Sequence, residues 1–150
     1  MVIRKHRRNR RWGAAAVETA LVMLPMIMFL TGVFEYGRLL MVWNVVNNAA
    51  REGCRYALAN NTAATIVTDV QNVVTTRMAG QTAAFNSGTF SITVSGTHLG
   101  TATTVTNLLP GDLVTVSISG KFKFMNIIPV VPMPSLTINS AVTMLCEGGT

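Results

Sequence analysis

Charge is scarce in this sequence. Lys, Arg, Asp and Glu make up 12% of its 150 residues, about half the usual share, while hydrophobic residues make up 49%. That balance excludes both a disordered tail and a highly charged nucleic-acid binder. Histidine is nearly absent as well, with only His6 and His98. His6 falls in a basic N-terminal arm, so one histidine is left for the body. A His-based metal cluster or a Ser-His-Asp triad therefore lacks its parts. No glycine-rich loop opens a helix with a lysine at phosphate distance. The acids Glu52, Asp69, Asp112 and Glu147 are scattered without a recognisable pairing. These absences argue against an enzyme and against a bound metal or cofactor.

What charge there is lies unevenly. Arg4, Lys5, Arg7, Arg8, Arg10 and Arg11 come before residue 13 with no acid among them, and the remaining basic and acidic residues balance. The high isoelectric point belongs to the arm, and the body is neutral. After the arm, residues 19–34 run without a charge. As a helix they span about 24 Å, and the alanines and valine at 14–17 bring the segment to about the 20 residues that cross a bilayer, if Glu18 is tolerated inside. Basic residues stay on the cytoplasmic side, which predicts a single-pass protein with its N-terminus inside and its C-terminal body exported. A Lys/Arg cluster abutting an apolar helix reads as a topology signal, not a nucleic-acid site. A secretory signal peptide would carry small residues after the apolar run; here they precede it, at Gly13 to Ala16, so the helix is expected to be retained.

The helical pattern continues past the apolar run. Tyr36, Leu39, Leu40, Trp43, Val46, Ala50, Cys54 and Ala57 recur every three or four residues, and Asn60-Asn61-Thr62 ends the stripe. Pro25 is expected to kink this helix. A second helix is predicted over residues 63–79, with Gly80 as its stop. From Ser87 the period changes to two, in Phe90-Ile92-Val94, Val114-Val116-Ile118, Phe122-Phe124 and Leu136 to Met144. Pro110-Gly111-Asp112 and Ser119-Gly120 read as turns. The fold class is α+β. Residues 1–13 form a basic leader, 14–35 the membrane part of a long helix and 36–60 its exported continuation. Residues 61–150 make a small head with a second helix and an antiparallel sheet.

Glu18 is the most informative single residue. A carboxylate inside an apolar segment is expensive and marks a function with a specific partner. A cut after Gly13 would make Ala14 a free amino terminus one helical turn from Glu18, and two desolvated opposite charges can satisfy each other. A basic leader ending in Gly, then Glu at the fifth mature position and an apolar helix, looks like a type IV prepilin signature. The blocks Gly13-Ala-Ala-Ala-Val-Glu-Thr-Ala-Leu-Val-Met-Leu-Pro25, Phe34-Glu-Tyr-Gly-Arg38 and Asn48-Ala-Ala-Arg-Glu-Gly-Cys-Arg-Tyr-Ala57 resemble the TadE-like family more closely. Its members are minor pilins or pseudopilins of the bacterial tight-adherence (Tad) pilus. The resemblance implies cleavage between Gly13 and Ala14 by a prepilin peptidase. It also implies assembly through the N-terminal helix with other Tad pilins and minor pilins, on an inner-membrane assembly platform. Glu18 would pair with the terminal amine of an adjacent pilin. Thr19 and Cys54 depart from the family's usual residues, an aromatic or bulky apolar residue and Ala. The alternative is a permanently anchored, exported adhesion or binding module that keeps residues 1–13.

Cys54 and Cys146 are the only cysteines. If both are exported, an even count in an oxidising compartment favours a disulfide between them, closing a loop of about 90 residues worth on the order of 4–5 kcal/mol in the chain-entropy model. Two free thiols or an intermolecular bridge are the alternatives.

Overall fold

The computed structural model describes residues 9–106, 108–125 and 135–147, with side chains from Gly13 onward. The basic leader expected over 1–13 lies, as far as residue 8, outside the described residues. One long apolar helix, a second helix and a four-stranded antiparallel sheet give the α+β fold read from the sequence. Helix α1 spans Asn9–Ala59 and runs through Pro25. The chain divides into two compact units between Gly37 and Arg38.

In the first unit the helix is apolar around its whole circumference. Leu21, Leu24, Phe29 and Phe34 are all exposed, each by more than half of its surface. Such a helix has no core of its own to turn towards.

The second unit, Arg38–Thr150, holds the core. The rest of α1 contributes Val42, Val46, Ala49, Ala50, Cys54 and Ala57, a three-and-four spacing that buries one stripe. Helix α2, Ile66–Arg77, buries Ile66, Val70 and Val74 beside it. Gly53 makes this approach possible: a Cβ there would stand 2.7 Å from Val74 Cγ2. The sheet consists of β1 (Ser91–His98), β2 (Thr101–Thr103), β3 (Leu113–Phe122) and β4 (Leu136–Leu145) in the order β2-β1-β3-β4, all antiparallel. Val114, Val116, Ile118, Phe122 and Ile138 face the helices and are fully buried; each contributes about 1.5–3 kcal/mol by leaving water. Thr93, Ser95, Thr115, Ser117, Thr143 and other small polar residues alternate onto the opposite, wetter face.

Three expectations change in detail. The second helix is shorter than residues 63–79, because residues 61–65 form turns and Gln81–Ala84 is a separate 3₁₀ turn after Gly80. Ser119-Gly120 is not a turn. β3 continues through it to Phe122, with Gly120 paired to Ile138. The glycine is there for space: a Cβ would come within 2.5 Å of the Phe85 ring, which packs flat on the strand. The short strand β2 is additional. It pairs with β1 through a two-residue turn in which Leu99 and Gly100 both take positive φ, 47° and 85°.

Candidate functional site

The residues that carry the prepilin-like reading lie together in the first unit. Gly13, Ala14 and Glu18 lie within two turns of α1, and all three are exposed. Four-residue spacing puts Ala14 and Glu18 on one helix face. Nothing lies within 4 Å of the position a Cβ would take on Gly13 or Gly32. Two threonine hydroxyls in this unit are satisfied locally: Thr19 Oγ1 donates to the Ala15 carbonyl at 2.8 Å, and Thr31 Oγ1 to the Met28 carbonyl at 2.9 Å. Thr19, which departs from the family pattern, therefore spends its polar atom on its own helix. Glu18 stands as an exposed acid among exposed apolar side chains such as Val17, Leu21 and Val22.

In the second unit the ionisable groups form small clusters. Glu52 of α1 accepts from Arg77 of α2 at 3.1 Å and faces Arg55 at 3.9 Å. Both arginines are largely exposed, so these pairs contribute little to stability. Asp112 is the buried acid. Its carboxylate accepts the Nδ1–H of His98 and, at 2.8 Å, the backbone N–H of Leu109. The His98 bond first, and the Leu109 amide second, hold this carboxyl below the usual aspartate range. The arrangement clamps the end of β1 to the turn before β3. The turn is legible in the sequence at Pro110-Gly111-Asp112 but its partner is not, since His98 lies 14 residues earlier and no spacing rule links the two. A second unforeseen contact is at Arg38, which donates to the Lys123 carbonyl and lays its guanidinium 4.5 Å from the centroid of Phe122.

Cys54 and Cys146 are both buried and both free thiols. The Cys54 Sγ–H donates to the Val142 carbonyl at 3.1 Å, and burial pushes this thiol above its ordinary range. Cys146 follows the end of β4, four residues further on, about 13 Å along an extended strand. The structure does not join the two sulfurs. Among the described residues, no three His, Cys, Asp or Glu side chains gather where they could hold a metal ion.

The segment with the exposed apolar helix is also the segment with recognisable kin. Residues 13–55 match the TadE-like protein family. The TadE-like match begins at Gly13, takes in Glu18, Pro25 and Arg38, and stops one residue after Cys54. It therefore covers the first unit from Gly13 and the part of α1 that enters the core, but neither α2 nor the sheet. No curated protein and no solved structure matches the chain. A TadE-like segment points to a protein associated with a Tad pilus.

Proposed function

We propose that this chain is a non-enzymatic minor pilin or pseudopilin of a Tad-type pilus and secretion system. In this reading the N-terminal helix anchors the unassembled subunit in the bacterial inner membrane, with the leader in the cytoplasm and the head exported. A prepilin peptidase cuts between Gly13 and Ala14. The freed helix then packs among other pilins on the assembly platform, and Glu18 neutralises the terminal amine of a neighbour. The observation that carries the reading is the coincidence of the TadE-like match with the helix whose apolar side chains are exposed. One helix of the described residues is long and apolar enough to cross a membrane, and Glu18 within it lies one turn from the expected cut.

The test is the intact mass and N-terminal sequence of the protein from its native membrane. A chain beginning at Ala14 is the expected result. A chain that keeps Met1 to Gly13 while the peptidase is present overturns the reading and leaves an anchored, exported module. In the processed protein, Glu18→Ala is expected to reduce incorporation into pili by tenfold or more, about 1.4 kcal/mol or above for a charge left unpaired in an apolar setting. Its insertion into the membrane stays intact, because removing a charge from an apolar helix favours insertion.

A further inference from the structure

The head is electrically lopsided along its sheet. At one end, where β3 stops and β4 begins, stand Lys121, Lys123 and Arg38. At the other end, where β3 begins and β4 stops, stand Asp112 and Glu147. Ten-residue strands separate the two ends by roughly 30 Å. The remaining acids of this unit, Glu52 and Asp69, sit on the helices: Glu52 with Arg77, Asp69 accepting from Thr65 at 2.7 Å. Glu35, three residues before Arg38, is the nearest acid in sequence to the basic end. The two lysine ammonium groups are exposed and have no ion-pair partner among the described residues.

Apolar surface accompanies these cations. Met125 is 50% exposed and Leu136 is 43% exposed. Arg38, the first residue of this unit, stands at the same end, bonded to the Lys123 carbonyl, and in the sequence the uncharged run ends four residues before it, at Phe34. Cations beside exposed apolar side chains, in a unit that follows directly on an apolar helix in the sequence, suit the boundary between lipid headgroups and acyl chains.

We propose that the head docks by this end onto an anionic lipid surface, with Lys121 and Lys123 against lipid phosphates and Met125 and Leu136 reaching the acyl boundary. The inference rests on the membrane-anchored reading given above. Docking holds the unassembled subunit upright on its own bilayer, and leaving the bilayer for a pilus breaks it. The contact is thus a check on release as well as a support.

Two chemical probes of the intact full-length chain test this. Lys121 and Lys123 are the only lysines after Lys5, so amine acylation read by mass spectrometry reports on the surface directly, and peroxide oxidation of Met125 reports on its apolar part. The chain is placed in nanodiscs of phosphatidylcholine alone, and of phosphatidylcholine mixed with phosphatidylglycerol. Acylation of both lysines is expected to slow by about threefold or more in the anionic discs, and to recover in high salt, which screens exposed charges. Met125 oxidation is expected to slow alongside it, and in Lys121→Gln/Lys123→Gln to return to its rate in the neutral discs. Equal rates in the two lipids, with the chain inserted in both, overturn the docking and leave the anchor standing. Failure of the chain to enter discs of either composition overturns the anchored reading itself. Protection that appears only when other pilus subunits are added also overturns the proposal, in favour of a protein partner.

Discussion

Asp112 shows how much structure one side chain can organise in a head with so few charges. Its carboxylate gathers the His98 ring and the Leu109 amide, and its backbone carbonyl accepts from Cys146 at 2.7 Å. It therefore holds the ends of β1, β3 and β4 in one place. Because its folded pKa lies below the ordinary aspartate value, its contribution to stability is full above about pH 3.9 and is lost as the pH falls from there through the lower folded value. Asp112→Asn is accordingly expected to melt lower than the parent at neutral pH, with the gap in Tm narrowing as the pH is brought down to about 3. Thermal melts across that range check this, and a constant gap would mean that the side chain acts by shape and not by charge. Glu18 and Asp112 make a useful pair for judging legibility. Glu18 was conspicuous in sequence because its apolar neighbours are contiguous with it. Asp112 was not, because its partner arrives only through the pairing of strands.

Among the described residues, strand β4 is the long outer edge of the sheet. β2, at the other edge, has only three residues and is protected by its brevity. The Cys146 N–H bonds the Asp112 carbonyl, and antiparallel pairing alternates. The backbones of Met144, Val142, Ser140 and Ile138 therefore also turn towards β3, while those of Thr143, Ala141 and Asn139 turn outward. Proline reads this difference. Ala141→Pro removes an N–H that the sheet does not use and is expected to cost under about 1 kcal/mol. Val142→Pro removes one that bonds β3 opposite Val116 and is expected to cost about 3 kcal/mol or more. Urea denaturation of the two variants in detergent separates them, and similar losses in both would refute the assigned alternation. Period-two patterns located β1, β3 and β4 but could not reveal β2, whose three exposed residues carry no apolar alternation. They also ended β3 too early, because Gly120 in isolation reads as a turn and only the Phe85 ring above it explains its place in a strand.

At the scale of the molecule, the two units obey different rules. Every buried hydrophobic residue of the described chain lies at or beyond Val42, whereas the apolar helix before Gly37 buries none of its hydrophobic side chains, its one buried residue being Glu35. Residues 38–150 are therefore expected to fold without the first unit and to remain soluble without detergent. A single cooperative melt of that fragment by circular dichroism is the check, and a fragment lacking sharp near-ultraviolet signals would show that the first unit is needed for packing. By itself the sequence determined the long apolar helix, the basic residues that precede it, the acid five residues after Gly13 and the α+β order of the head. Each of these is written in contiguous residues, where run length, charge and a period of 3.6 or 2 are directly visible. The tertiary structure alone decided the sheet order, the extension of β3, the Asp112–His98 clamp and the gathering of Arg38, Lys121 and Lys123 at one end. Those features join residues far apart in the chain, and such pairings depend on which apolar faces find each other in space.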